Sequence, residues 1–470
     1  MALYYHVDNE EPKQWTAISN AVLIGLATTC FSAMAYFTYY YVWTRERRFT
    51  SLGGLILNVV LPAVIALCLV ACLRLRSSYK INLAILCASL TCSVYGADIL
   101  LSSKLASEFG LRNGSTNTLN ALDDLRLKGI DAAPLIAPSY LLEEGVGGVH
   151  SAMRLDGAEV LPLGGIARKT TFHCDENGQH LTYESDEQGF NNPPGIWQFQ
   201  SIDVAILGNS FTQGYCVSNQ NHFVAVIRSR YPATLNLGMD GSGPLLELAA
   251  LKEFLPAYAP KIVLWVYFED FDLLALEKEK RSSLLMSYLQ NGFSQGLRSK
   301  ETAIDAALVE FAKKQESSRL ATSNARNTLR AVISLSTLRQ ELGLISGEIS
   351  KAAPKAPPPD LELFGEVLRQ AASAVRSYNG QFYFVYLPGW PRYGNLDNVN
   401  PFREQVLNLV AGLHISTIDM HPRFLMHGDP LSLFPSRRQP GHYNEEGYGL
   451  VGDEILKAIA PIAQNAASQE

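Results

Sequence analysis

The chain has 470 residues and a formal net charge of −6, long enough for two to four structural units. It has no basic tract and no basic patch interleaved with aromatics, which argues against a nucleic-acid partner. Its seven cysteines include no CxxC pair, and no Cys/His cluster has zinc spacing, so no metal or organic cofactor is expected.

Apolar residues concentrate near the N-terminus. Three stretches, about 17–42, 52–73 and 81–101, are each long enough for a bilayer core, which needs about 20 apolar residues in a helix. Arg45-Glu46-Arg47-Arg48 and Arg74-Leu75-Arg76 separate them. Residues 1–105 are therefore predicted to form a transmembrane region of about three helices. The first stretch is too long and too late for a cleavable signal peptide, and two more follow it. Positive charge does not orient the set. Lys13, Arg74, Arg76 and Lys80 would share one side, and Arg45, Arg47, Arg48, Lys104 and Arg112 the other. Cys30, Cys68, Cys72, Cys87 and Cys92 all fall here, leaving Cys174 and Cys216 outside. An exported domain would join those two as a disulfide; two separate reduced thiols are the alternative.

Residues 106–200 read as a connecting segment and lead-in. A short helix is predicted at Asp123–Lys128. Two alternating stretches, at 170–174 and 181–184, predict a strand pair turned at Asn177-Gly178. The polar run from Ser185 to Pro193 closes the segment, with Asp186 read as a turn-capping residue.

Residues 201–470 alternate strand and helix. Strands are predicted at 202–208, 233–238, 262–268, 382–386 and 415–418, with helices after the first two. That alternation implies a parallel five-stranded sheet of flavodoxin type, covered by helices on both faces. Polar loops at the C-terminal strand ends then become neighbours. Residues 277–360 interrupt the pattern as a charged helical insertion ending in a proline-rich linker, read as a lid, a docking surface or a solvated spacer.

The first strand ends in Gly208-Asn209-Ser210, which puts one hydroxyl where open α/β sheets hold ligands. On these residues alone, a plain strand followed by an Asn-Ser turn is equally consistent. The second strand ends in a glycine-dense loop containing Gly241. Near the C-terminus, Gly441-His442-Tyr443-Asn444 precedes an amphipathic helix, making His442 the best-placed base in the chain.

Together these blocks resemble the SGNH/GDSL hydrolase superfamily, in particular its membrane-anchored bacterial members. Asp186-Glu187-Gln188-Gly189-Phe190 resembles a lead-in found in those members. The resemblance covers about 120–280 and 380–465. It implies Ser210 as nucleophile, His442 as base, and an oxyanion hole from the Ser210 and Gly241 N–H groups. Three departures stand out. Asn209 replaces the usual Asp, Phe271 occupies the position of an oxyanion-hole Asn, and Gln439 stands where an Asp often precedes the histidine. Asp419, Asp270 or Gln439 would then orient His442, or a Ser-His dyad would act alone. The implied activity is a serine esterase or O-acyltransferase acting on acyl, chiefly acetyl, esters of a glycan or another envelope substrate. The alternative is a weak or non-catalytic glycan-binding or scaffolding module. The implied partners are the lipid bilayer, an acylated carbohydrate or small ester, and proteins of envelope or polysaccharide biosynthesis. The implied location is the bacterial inner membrane, with the soluble domain in the periplasm or outside.

Overall fold

A computed structural model describes residues 13–43, 56–102, 118–174, 181–322, 335, 358–394, 399–435, 437 and 441–467. The Asn177-Gly178 turn, most of the proline-rich linker and Gln439 lie outside the described residues. The chain divides into two compact units, Met1–Arg112 with Ala325–Gly347, and Asn113–Asn324 with Glu348–Glu470.

In the first unit, helix α1 (Lys13–Trp43) packs against α2 (Leu61–Cys72) and α3 (Ser77–Ser102). Leu23, Ala27, Leu69 and Ala84 form the small seam between them. Many large apolar side chains, including Ile24, Leu67, Ile85, Leu86 and Leu90, point outward instead. Two helices, within Lys13–Tyr39 and Ser77–Leu100, are long and apolar enough to cross a membrane. The expected middle span is shorter among the described residues. A π-turn at Ile56–Val60 leads into only 12 residues of α-helix, and its expected start lies outside them.

The second unit is built on five strands: β1 (Val204–Gly208), β2 (Thr234–Asn236), β3 (Ile262–Phe268), β4 (Gln381–Leu387) and β5 (Ser416–Asp419). They pair in the order β5-β4-β3-β1-β2, all parallel, as the flavodoxin-type reading requires. The run of apolar residues in β1 and β3 follows from burial on both faces. Ala205, Leu207, Val263, Trp265 and Tyr267 face one core, while Val204, Ile206, Ile262, Leu264 and Val266 face the other. Helix Pro244–Phe254 and the amphipathic Leu361–Ser377 cover the first face; Phe223–Arg230 and the C-terminal Glu445–Ala467 cover the second.

The lead-in belongs to this same unit. Strand Thr170–Cys174 pairs antiparallel with Leu181–Glu184 and parallel with Ala132–Pro134. Asp186 caps its own turn, accepting the Gln188 and Phe190 N–H groups at 2.8 and 2.9 Å. Asn192 ties that turn to the sheet. Its amide donates to Asp186 at 2.7 Å and to the Asn236 carbonyl at 2.8 Å, and its oxygen accepts from the Asn236 N–H and Arg228.

The first half of the insertion is packed rather than solvated. Leu285, Tyr288, Leu297 and Leu308 are buried in the first core. Helix Glu301–Thr322 is tied to the lead-in by Arg126–Glu316, Gln188–Glu301 and the Ala167 N–H to Asp305 at 2.7 Å.

Candidate active site

Strand β1 delivers Ser210 through a turn that leaves no room for a side chain. A Cβ on Gly208 would lie 2.1 Å from the Thr212 hydroxyl oxygen and 3.0 Å from the Val266 carbonyl. Asn209 then caps a single helical turn, Ser210–Gln213, accepting the Phe211 N–H at 3.0 Å. Its amide donates to Asp272 at 2.7 Å. The first N–H groups of a helical turn have no intrahelical acceptor, so the Ser210 N–H is available to an incoming oxygen.

The glycine-dense loop lies against this turn. Asn236 donates to the Thr212 carbonyl and accepts the Gly238 N–H, at 2.8 and 2.9 Å. A Cβ on Gly238 would lie 2.5 Å from the Gln213 nitrogen, so only glycine permits the approach. Asp240 is held from three sides: its N–H by Gln213 at 2.9 Å, its carbonyl by Ser139 at 2.9 Å, and its carboxylate by the Tyr140 hydroxyl. Gly241 follows at φ +67°. Ser139 and Tyr140 come from the connecting segment, a contribution that local sequence does not signal.

His442 arrives from the loop before the last helix. Its Nε2 lies 2.8 Å from Ser210 Oγ. The loop is fixed on either side of that contact. The buried Tyr443 donates to the Pro388 carbonyl at 2.6 Å, and Asn444 donates to Ser432 and accepts the Gly447 N–H. Phe211 and Tyr215 flank the imidazole, with ring centroids 4.6 and 4.7 Å away.

The proposed acids have other partners. Asp419 pairs with Arg403 and accepts the His421 N–H at 3.0 Å, at the junction of β5 and the next helix. Asp270 sits over Gly389, beside the buried Glu269–Arg392 pair. Burial and the Glu269 charge push Asp270 up to about 7, against the pull of Arg392. Phe271 precedes helix Asp272–Glu279, and its ring offers no hydrogen-bond donor. Cys174 and Cys216 are joined as a disulfide with Cα atoms 5.5 Å apart.

A serine at the end of the first strand meets a histidine from the last loop, on a parallel sheet ordered β5-β4-β3-β1-β2. The second unit has a flavodoxin-like fold, a five-stranded parallel sheet covered by helices on both faces. No family model matches the chain, and no curated protein does. Among solved structures it is similar to a member of the lipolytic protein G-D-S-L family from Veillonella parvula DSM 2008, at 14% identity and TM-score 0.30, covering 55% of this chain and 99% of that one. A lipase/acylhydrolase from Enterococcus faecalis is similar at 12% identity and TM-score 0.30, covering 55% of this chain and 95% of that one. An acetyl xylan esterase is similar at 10% identity and TM-score 0.31, covering 55% of this chain and 100% of that one.

One further acid lies beside this turn. Asp272 is fully buried on Asn209 and on the Phe268 N–H, and Glu247 and Glu279 lie near it. Glu279 accepts the Gly243 and Leu245 N–H groups, at 2.7 and 2.8 Å, which seats it at the N-terminus of helix Pro244–Phe254. Burial pushes Glu279 up to about 7. Burial also raises Glu247 and Asp272, with neighbouring carboxylates adding to the effect.

Proposed function

We propose that the second unit is a serine esterase or O-acyltransferase of SGNH type, acting on acyl esters, chiefly acetyl, of a glycan or another envelope substrate. The observation that carries this reading is the 2.8 Å contact between Ser210 Oγ and His442 Nε2. His442 would take the hydroxyl proton as Oγ attacks the ester carbonyl. The N–H groups of Ser210 and Gly241 would receive the oxyanion, and His442 would return the proton to the leaving alcohol. Water or a sugar hydroxyl would then release the acyl group from Ser210.

The first unit would anchor this domain in a bilayer, which is supported by the outward-facing apolar side chains of α1–α3. The Cys174–Cys216 disulfide supports an oxidising compartment, the periplasm or the exterior. Acylated carbohydrate and envelope-assembly proteins are the proposed partners. One feature of the sequence favours a second reading, a glycan-binding module without turnover: Phe271 stands where the SGNH resemblance expects an oxyanion-hole Asn, and its ring offers no donor.

The deciding experiment is hydrolysis of p-nitrophenyl acetate by the full chain in detergent, beside Ser210→Ala and His442→Ala. Activity lost in both variants, with fluorophosphonate labelling of Ser210 alone, supports the esterase. Equal background rates and no labelling overturn it in favour of the binding module.

A further inference from the structure

A histidine ring is poorly fixed by its own torsions, because its terminal sp³–sp² rotation is broad and roughly two-fold. A base that must meet Ser210 at 2.8 Å therefore needs its plane set by neighbours. Phe211 is one such neighbour. It is buried, begins on the capped turn after Asn209, and packs on Phe268 and Tyr443 at 4.2 and 4.8 Å.

Tyr215 is the other, and it lies just beyond that helical turn. Three features hold it. Its N–H donates to the Ser210 carbonyl at 3.0 Å. His173 meets its ring edge-to-face, with centroids 4.9 Å apart and planes at 83°. The residue after Tyr215 is bonded to the residue after His173, since Cys216 and Cys174 form the disulfide. Cys216 takes φ +63°, a conformation uncommon for a non-glycine residue, so the link is made at a constrained backbone position. His173 is buried, its Nε2 has no hydrogen-bond partner among the described residues, and its ring also packs edge-on against Tyr183. That makes it a packing residue, held neutral by burial, which pulls it down to about 3.

We propose that Tyr215, held by the Cys174–Cys216 disulfide and backed by His173, is the positioning residue that sets the His442 ring for its contact with Ser210. The disulfide is thereby coupled to the rate of the chemical step as well as to stability. This inference rests on the esterase reading for its kinetic consequence but not for its geometric one.

The test uses the full chain in detergent and three variants: Tyr215→Phe, Tyr215→Ala and the double variant C174A/C216A. Two quantities are read: kcat and KM on p-nitrophenyl acetate, and the ring proton resonances of His442, assigned by their loss in His442→Gln. Tyr215→Phe keeps the ring and is expected to stay within about twofold of wild type. Tyr215→Ala is expected to lower kcat about tenfold with little change in KM, the pattern of an interaction needed in the transition state. It should also shift the His442 resonances, which lose a neighbouring ring current. The double variant should shift the same resonances and lower kcat less. Unchanged kcat and unchanged His442 resonances in Tyr215→Ala would overturn the proposal, as would Tyr215→Phe being as impaired as Tyr215→Ala. A disulfide variant that does not fold leaves the decision to Tyr215→Ala. A wild type without turnover defeats the esterase reading alone, and the resonances still decide the positioning.

Discussion

Asn209 donates its side-chain amide to Asp272 at 2.7 Å, and both residues are buried. The other Asp272 oxygen accepts the Phe268 N–H at 3.0 Å. The amide before Ser210 is thus matched to a carboxyl group at the start of helix Asp272–Glu279. Replacing Asn209 by Asp would remove that donor and set a second buried carboxyl group against Asp272, which burial already holds well above the usual carboxylate range. Asn209→Asp is expected to destabilise the unit by about 3 kcal/mol at neutral pH. The exchange N209D/D272N restores one donor and one acceptor and should recover most of that loss. Urea unfolding of the three variants checks both statements.

Gly241 should tolerate no side chain. At φ +67° a Cβ is strained, and it would lie 2.5 Å from the Ser139 hydroxyl oxygen that holds the Asp240 carbonyl. Gly241→Ala is expected to lower kcat by about 10²-fold, the scale of one lost oxyanion donor. Gly449→Ala is the control, since its Cβ meets nothing within 4 Å, and it should leave kcat unchanged.

The disulfide closes a sequence separation of 42 residues. Chain-entropy arguments give such a link about 4 kcal/mol of stabilisation. C174A/C216A should therefore lower the unfolding midpoint, and dithiothreitol should lower the wild type towards the variant. Thermal unfolding with and without reductant reads this directly.

Alkaline pH should weaken the fold through the buried acids. Burial, then Asp272 and Glu279, raise Glu247, whose oxygens have no hydrogen-bond partner among the described residues. A raised carboxyl binds more protons folded than unfolded, so stability falls as pH rises past its unfolded value. His173 and His222, both pulled down to about 3 by burial, act with the opposite sign, but only up to about pH 6.5. Above that the carboxylates act alone. Stability to urea should fall from pH 6.5 to 8.5, and Glu247→Gln should flatten the fall. A parallel decline in wild type and Glu247→Gln would place the effect elsewhere.

The five strands, their order, and the turns carrying Ser210 and His442 were legible because their signals are local. Apolar runs of strand length end in Gly-Asn-Ser, in a glycine cluster or at Asp419. What escaped depends on distant partners. Nothing near Asp272 announces Asn209, and nothing near Tyr140 announces Asp240. The insertion looked like a spacer because polar and charged residues separate Leu285, Tyr288, Leu297 and Leu308, yet all four enter one core. The middle apolar stretch had the composition of a span, but composition does not report the π-turn that shortens its α-helix.

Ser210 and His442 are separated by 232 residues. The consequence is one of timing. Ser210 lies less than halfway along the chain, and β4, β5 and the C-terminal helix are all made after it. The hydroxyl exists through most of synthesis without the imidazole that would activate it. In the proposed reading, a chain in transit is chemically silent, and competence arrives in one step when the last loop closes over the finished sheet.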